Sequence, residues 1–211
     1  MSTIVGVFAH PDDEAFGPGG TIAKLAKTND VHLICVTDGN HGEKGLKSIR
    51  NQELISSAKI LGVKNVIFFD FADGELSNNS YHSLESQLKT ELDKLTPKTV
   101  ITFHPNGVSG HIDHMVVTSV IDHLFPKLNY LKKIMYYAMR DLERKEIGDY
   151  FVHMPAGLSK DQADEVVDVS QEWLQFVNAV RAHKSQSSDA DWVLGIAEKL
   201  PKEEYFIVRS K

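Results

Sequence analysis

The chain has 211 residues, of which 42% are hydrophobic and 25% are charged, and its formal net charge is -6. This composition is typical of a globular protein that can bury a sizeable core, and a single domain spanning 1–211 is expected. The acidic balance and the lack of a basic run argue against nucleic acid or a membrane surface as a partner. No stretch resembles a membrane-spanning helix or a secretory signal, so a cytoplasmic protein is expected.

The single cysteine, Cys35, lies in an apolar run. One cysteine cannot form a disulfide framework, so a buried and inert thiol is expected. The chain also contains ten histidines, which invites a search for clusters of metal-ligating residues.

Strands and helices alternate in the first half of the sequence. Apolar, β-branched runs predict strands at 3–8, 31–37, 65–69 and 99–103. Helical spacing predicts a helix after Gly20, one with an apolar stripe from Ile49 to Leu61, and one that starts at Ser80 or Ser83. Gly62 and Pro97 end the last two helices. The alternation predicts an α/β fold with a Rossmann-like, mostly parallel sheet, right-handed crossovers and helices on both faces.

The second half is less regular. Residues 133–139 predict a strand, residues 150–153 are compatible with another, and residues 205–208 predict a final strand. Ser170 can cap a helix that runs from Gln171 to about His183, and a short helix is expected near 192–199. No linker separates this half as an independent domain.

The first predicted strand is followed by Ala9-His10-Pro11-Asp12-Asp13-Glu14. Pro11 favours an extended conformation for the preceding residue. Three consecutive acids repel one another unless a cation lies among them, which favours a functional site over a hydrophilic turn.

A second motif follows the fourth predicted strand and contains Gly110-His111-Ile112-Asp113-His114. Both motifs leave the carboxyl ends of strands, where ligands bind in open α/β sheets, so they can meet at one edge. His10, Asp13 and His114 would then form the two-His, one-carboxylate set of a catalytic zinc site.

The other residues of the two motifs allow more than one interpretation. Asp12, His111 and Asp113 would supply proton-transfer chemistry, and a local hydrogen bond that orders the helix N-terminus is the alternative for His111 and Asp113. His104 either lines the site or leads into the turn at Pro105. The remaining histidines without ligand-like neighbours are expected on the surface: His41, His82, His123 and His153.

The paired motifs resemble the LmbE-like (PIG-L-like) zinc-dependent N-deacetylases. Similar segments are Thr37-Asp38-Gly39, Arg50 with Glu53 and Leu54, 73–76 and 181–186, so the resemblance covers nearly the whole chain. One departure is Ile112, where many members have proline.

The resemblance implies roles for particular residues. His10, Asp13 and His114 match the zinc ligands, and another divalent ion is compatible with this set. Asp12 matches the general base. His111 matches the residue that stabilises the oxyanion, in its protonated form, or protonates the leaving amine, and Asp113 matches the residue that orients His111 and raises its pKa.

Three further positions match the family outside the paired motifs. Arg50 and Asp73 match positions that hold the sugar. The alternative for Arg50 is a solvated helix residue, and the alternative for Asp73 is an Asp-Gly turn. His183 is expected to cap a helix end.

The implied activity is hydrolysis of the acetamide of a small, N-acetylated amino-sugar substrate, a soluble molecule or oligosaccharide containing N-acetylglucosamine. The resemblance also implies a homo-oligomer, a trimer or hexamer. Two alternatives stay open: a zinc amidase that cleaves another amide next to a sugar, and a non-catalytic protein that binds metal or sugar. A Rossmann-type nucleotide enzyme is disfavoured, because the glycine spacing at Gly17, Gly19 and Gly20 is wrong for the dinucleotide fingerprint.

Overall fold

The computed structural model describes residues 1–40, 45–149 and 153–211. Within these ranges, seven strands form one sheet in the order β3-β2-β1-β4-β5-β7-β6. Their bounds are β1 Thr3–Phe8, β2 Asp30–Thr37, β3 Asn65–Phe71, β4 Thr99–Phe103, β5 Lys133–Ala138, β6 Glu165–Asp168 and β7 Glu203–Ser210.

The sheet is parallel from β3 to β5 and antiparallel beyond it. β1 pairs in parallel with both β2 and β4, whereas β7 runs antiparallel to β5 and to β6. The chain leaves β1 toward one side of the sheet and β4 toward the other, which makes their carboxyl ends the topological switch point. The predicted α/β, mostly parallel fold is confirmed.

Helices cover both faces of the sheet. The described helices are α1 Asp13–Phe16, α2 Gly19–Ala26, α3 Leu46–Leu61, α4 Tyr81–Leu95, α5 Ile112–Leu124, α6 Asp141–Ile147, α7 Trp173–Ala182 and α8 Ser187–Ala197. One hydrophobic core joins the sheet to α2, α3, α7 and α8, and a second joins its other face to α4 and α5. Cys35 is buried in the first core, as expected.

The face that α3 buries differs from the predicted apolar stripe. Ile49 and Ile55 are exposed, while Arg50, Glu53 and Ser57 are buried together with Leu54, Ala58 and Leu61. The physical reason is that α3 packs beside the first motif, where polar side chains find partners that an apolar face could not satisfy.

The second half contains elements that the sequence pattern did not predict. β6 and α6 were not expected, and α8 begins at Ser187, before the predicted start near Trp192. Ser170 does not cap α7: its hydroxyl donates to Asp168, and α7 begins at Trp173 after a 3-10 turn. Of the candidate strand at 150–153, residues 150–152 lie outside the described residues, and His153 is in a bend.

Distant parts of the chain meet at the start of α2. The backbone N–H groups of Gly20 and Thr21 donate to the carboxylate of Glu204, on β7, at 2.8 Å each. A side chain 184 residues away therefore satisfies two of the three unpaired N–H groups of this helix N-terminus, where Pro18 at the N-cap has none. Burial raises the pKa of Glu204 to about 7, and these hydrogen bonds oppose the rise.

No helix in the described part of the chain is long and apolar enough to cross a membrane.

Candidate metal centre

The switch point brings the two predicted motifs together. β1 leads into the first motif, whose Asp13 and Glu14 open the short helix α1 instead of lying in a loop. β4, the neighbour of β1, leads into the second motif, where His111 is the N-cap of α5 and His114 lies in its first turn. The neighbouring strands therefore aim both sets of side chains at one place.

The ligand atoms of the three predicted metal-binding residues converge at this place. His10 Nδ1 lies 3.1 Å from His114 Nε2 and 3.5 Å from Asp13 Oδ2. His114 Nε2 lies 3.3 Å from Asp13 Oδ1. Ligands on a tetrahedral zinc ion, at metal distances of about 2.0–2.1 Å, stand ~3.3 Å apart, so the spacing suits one shared cation.

Hydrogen bonding on the far side of each ring leaves the converging nitrogens free for a metal. His114 Nδ1 lies 2.9 Å from the carbonyl oxygen of Gly107, which places the proton on Nδ1 and a lone pair on Nε2. His10 Nε2 lies 3.1 Å from Asp73 and 3.2 Å from Asp113, which in the neutral ring places the proton on Nε2 and a lone pair on Nδ1. Ligating histidines are usually oriented in this way, so the donor set fits a metal.

Asp73 and Asp113 are therefore partners of His10. The Asp113 carboxylate also accepts the N–H groups of Gly74 and Leu76, at 2.8 and 3.1 Å. Asp113 was expected to orient His111; its backbone N–H does reach His111, but its carboxylate is placed on His10. The Asp73 side chain is only 1% exposed, and it faces His10 and Arg50.

His111 has its own local geometry. Its Nδ1 accepts the backbone N–H of Asp113 at 3.2 Å, which confirms the predicted local hydrogen bond and leaves the proton of a neutral ring on Nε2. Burial, with His10 and His114 adding to it, lowers the pKa of His111 to about 4, and Asp113 only partly offsets this. Asp113 raises the pKa of His111, as expected, but burial and the two nearby histidines outweigh it, so the net shift is downward and the protonated form is not favoured.

A larger histidine set is also present. One ring nitrogen each of His10, His111 and His114 lie within 4.8 Å of one another. Asp13 is the better third ligand, since its oxygens lie 3.3 and 3.5 Å from the two converging nitrogens.

Charge is distributed unevenly among the candidate ligands. Burial disfavours the charged forms of both His10 and Asp13. The neighbouring Asp13, Asp113 and Asp73 nevertheless hold the pKa of His10 well above 6.5, and His114 and His10 hold the pKa of Asp13 well below 3.8. A metal that binds here would displace the proton from His10 and supply positive charge in its place.

Asp12 combines an unusual backbone with a partly buried carboxylate. Its backbone φ is 129°, a conformation that residues other than glycine rarely adopt. Its Oδ2 accepts a hydrogen bond from Arg50 at 2.9 Å, and the Arg50 guanidinium also donates to the carbonyl oxygens of Pro11 and Gly39. Burial raises the pKa of Asp12 to about 7, although Arg50 opposes this.

A polar network behind Asp12 joins residues that the sequence left without a shared role. Glu14 is 1% exposed. Its carboxylate accepts hydrogen bonds from the N–H of Asp12 and from the hydroxyl of Ser57, the latter at 2.5 Å. It also lies 2.8 Å from His183 Nε2. His183 was expected only to cap a helix, and it does end α7, but it is fully buried. The signal available in the sequence was its place in a segment resembling the family.

The other histidines follow their predictions or fall outside the description. His104 Nδ1 accepts the N–H of Asn106, consistent with its role in the turn. His82, His123 and His153 are exposed, whereas His41 lies outside the described residues.

The fold and site together define an α/β protein with a candidate metal centre at the switch point of its sheet. The family model described as PIG-L: GlcNAc-PI de-N-acetylase matches residues 5–125, more than half of the chain. The chain belongs to this family.

A curated relative supports the assignment over most of the sequence. The 1D-myo-inositol 2-acetamido-2-deoxy-alpha-D-glucopyranoside deacetylase of Corynebacterium glutamicum (strain R) is 31% identical over 225 residues, covering 89% of this chain and 76% of the relative.

Solved structures share the fold at lower identity. An N,N'-diacetylchitobiose deacetylase from Pyrococcus horikoshii has a TM-score of 0.75 and 22% identity, covering 99% of this chain and 84% of its own. The 4-carboxy-2-hydroxymuconate hydratase GalB from Pseudomonas putida has a TM-score of 0.72 and 17% identity, covering 100% of this chain and 97% of its own. The same fold therefore carries more than one reaction, and the activity must be argued from the site.

Proposed function

We propose that this protein is a metal-dependent hydrolase that removes the acetyl group from a small molecule or oligosaccharide containing N-acetylglucosamine. The observation that carries the proposal is the convergence of His10, Asp13 and His114 ligand atoms, 3.1–3.5 Å apart, next to the partly buried carboxylate of Asp12. Membership in a de-N-acetylase family and a relative that acts on an acetamido sugar favour this reaction over others on the same fold.

We propose Zn²⁺ as the ion, one per chain, held by His10, Asp13 and His114. A metal at such a site lowers the pKa of bound water toward ~7 and polarises a carbonyl oxygen. The set would also accept another divalent ion, because histidine and carboxylate ligands do not select zinc by affinity alone.

Asp12 is the proposed general base. Its pKa of about 7 suits a group that must be ionised to accept a proton and protonated to return it. The water proton goes to Asp12 as the hydroxyl bonds to the acetyl carbon. Asp12 then returns a proton to the nitrogen as the C–N bond breaks, which gives acetate and an amino sugar.

His111 is the proposed stabiliser of the oxyanion. Because its Nδ1 is already an acceptor, the neutral ring can donate a hydrogen bond from Nε2 without first gaining a proton. Removing one oxyanion donor typically lowers turnover by ~10²–10³. Asp113 and Asp73 act as positioning residues through His10.

Arg50 and Asp73 remain proposed contributors to sugar binding on the strength of the family resemblance. Arg50 directs its guanidinium at Asp12, Pro11 and Gly39, so its first effect on catalysis is to fix the base. The family resemblance also leads us to propose a homo-oligomer, trimeric or hexameric, which light scattering after size-exclusion chromatography would test.

The decisive experiment is acetate release by zinc-loaded protein from a panel of soluble compounds: N-acetylglucosamine, its malate and inositol glycosides, and chito-oligosaccharides. Turnover of at least one compound that stops on chelation and returns with metal is expected. Metal-replete protein that releases no acetate from any of them would overturn the proposal.

Two alternatives remain distinguishable in the same assay. A zinc amidase for another amide next to a sugar would release amine from a thiol conjugate but not from acetamides. A non-catalytic binding protein would bind zinc or sugar without turnover, yet it would have no use for the strained, arginine-anchored Asp12.

Substitutions separate the metal ligands from the base. We expect His114→Ala to lose both zinc and turnover, and Asp12→Ala to lose turnover by at least 10²-fold while it retains zinc. Metal content is measured by elemental analysis, with His123→Ala, an exposed histidine, as the matched control. A His114→Ala protein with full zinc would refute the ligand assignment, and loss of zinc from Asp12→Ala would identify Asp12 as a ligand instead of the base.

A further inference from the structure

An apolar cavity of ≈ 250 Å³ adjoins the candidate metal centre. Its lining includes Asp12, Asp13 and His114 and buried aromatic side chains such as Phe103 and Phe176. Trp192 on α8, which is 40% exposed, also lines it. The cavity therefore joins the candidate metal ligands to a side chain at the surface.

The cavity is much larger than the methyl group of an acetamide. A cavity of about 150 Å³ lined by apolar side chains is enough for a benzene ring. A substrate that placed only a methyl group here would leave most of the apolar wall without a partner, and unfilled apolar space forfeits binding energy.

Several charged side chains along the described lining have partners within the protein. Arg140 donates to Glu143 at 2.5 Å and to the carbonyl oxygen of Pro201 at 2.6 Å. The ammonium of Lys202 lies over the Trp173 ring, 3.7 Å from its centroid. Glu204 accepts two backbone N–H groups of α2. The lining thus suits an uncharged, apolar ligand group.

The position of the cavity distinguishes the two sides of a bound amide. The amide carbon must lie at the metal ligands, and both Asp13 and His114 line the cavity. The acyl chain is bonded directly to that carbon, whereas a group on the far side of the sugar is separated from it by a polar ring that this apolar lining does not suit. The group that enters the cavity from the metal ligands is then the acyl chain.

We propose that this cavity holds the acyl chain of the amide, and that the protein hydrolyses N-acyl amino sugars with linear chains longer than acetyl. This inference rests on the proposed hydrolase function, and it names the class of substrate that the site prefers.

Chain length is the first test. Zinc-loaded protein is assayed with the N-acetyl, N-butanoyl, N-hexanoyl and N-octanoyl derivatives of glucosamine. Each buried methylene should raise kcat/KM roughly fourfold until the cavity is filled. Turnover of the N-acetyl compound with no gain for longer chains would overturn the acyl assignment and leave the hydrolase function standing. A gain for an octyl glycoside of N-acetylglucosamine alone would assign the cavity to the group on the other side of the sugar and would also overturn it.

The second test fills the cavity with a larger side chain. Val193 lines the cavity on α8, whereas Gly195 lies on the same helix with open space where a side chain would go. We expect Val193→Phe to lower kcat/KM for the N-hexanoyl compound at least tenfold and the N-acetyl value by a clearly smaller factor. Gly195→Phe adds the same group outside the cavity and should change neither value; equal losses on both substrates in Val193→Phe would contradict the proposal.

Tryptophan fluorescence provides a readout that does not depend on activity. The two tryptophans of the chain, Trp173 and Trp192, both line the cavity. Hexanoate should change their emission saturably, acetate at the same concentration should not, and Val193→Phe should abolish the response. Hexanoate binding without hydrolysis of any compound would reject the hydrolase function, and hydrolysis without hexanoate binding would reject the cavity assignment.

Discussion

At the scale of single residues, Asp12 shows how the backbone positions a proposed base. Its φ of 129° aims the chain so that its N–H reaches Glu14 and its carboxylate reaches Arg50. Backbone strain of this kind costs on the order of 1–3 kcal/mol and persists only where the surroundings fix it.

Substitution of Asp12 separates strain from chemistry. Both Asp12→Gly and Asp12→Ala should lack turnover, but the glycine variant should be about 1 kcal/mol more stable, because only glycine adopts this φ without strain. Urea unfolding of the two metal-matched variants measures the difference. An alanine variant as stable as the glycine variant would mean that the backbone is not strained in solution.

The sequence located this site well but could not give its internal hydrogen bonds. The motifs predicted which residues meet, because both follow strands that end at the switch point. Which carboxylate faces which histidine depends on how the side chains are oriented. Asp113 belongs to the motif that begins at Gly110, yet the N–H groups of Gly74 and Leu76 hold its carboxylate toward His10, in the other motif. The low pKa of His111 likewise follows from burial and two nearby rings, neither of which a motif encodes.

At the scale of elements, the buried pair of His183 and Glu14 joins the end of α7 to α1. Glu14, Glu53 and Asp12 face His183 with negative charge, which raises its pKa above 6.5 against the effect of burial. A histidine with a raised pKa in the folded state stabilises the fold below the unfolded pKa of ~6.5, and this stabilisation is lost as the pH rises through the folded value.

His183→Gln keeps a donor to Glu14 and removes the charge. The variant should be about 1–2 kcal/mol less stable than the natural protein below pH 6, and the difference should shrink as the pH rises above 6.5. Urea unfolding across pH 5.5–8.5 measures it, with His123→Gln as the exposed control. A difference that grows with pH would show that His183 is neutral in the fold.

Glycine positions in two helices offer a second test at this scale. Gly62 ends α3 with φ 80°, and an added Cβ would lie 3.2 Å from the Ala26 Cβ, whereas Gly195 lies inside α8 with open space around it. We expect Gly62→Ala to destabilise the protein by about 1 kcal/mol and Gly195→Ala to stabilise it by about 0.5–1 kcal/mol. Thermal unfolding that ranks the two variants in the opposite order would refute the capping role of Gly62.

The elements that the sequence predicted are those with strong periodicity. β1, β2 and β4 are buried apolar runs, and Leu84, Leu88 and Leu92 form a helical stripe. β6 has four residues, none of them buried, and α6 buries no residue, so neither produces a hydrophobic pattern. Their structure comes from tertiary partners, chiefly β7 for β6.

At the scale of the whole molecule, the candidate metal centre links the two motifs and the two sides of the switch point. A ligand that binds only the folded state at 100 times its Kd stabilises that state by about 2.7 kcal/mol. For a chain of this size, zinc should raise Tm by roughly 5–10 °C, and a chelator should reverse the change. Differential scanning calorimetry measures it, and a similar shift in His114→Ala would mean that zinc binds elsewhere.

The placement of β7 also bears on assembly during synthesis. Chains generally fold from the N-terminal side as they are made, and β1 to β5 are all synthesised before β7. β6 pairs with β7 in the described structure, and the hydrogen-bond acceptor for the N–H groups of Gly20 and Thr21 at the start of α2 is Glu204, which is also on β7. A nascent chain stalled before residue 203 could thus hold both proposed metal-ligand motifs at adjacent strand ends while the proposed acyl cavity still lacked Glu203 and Glu204 from its lining, so metal capture can precede the maturation of substrate selectivity.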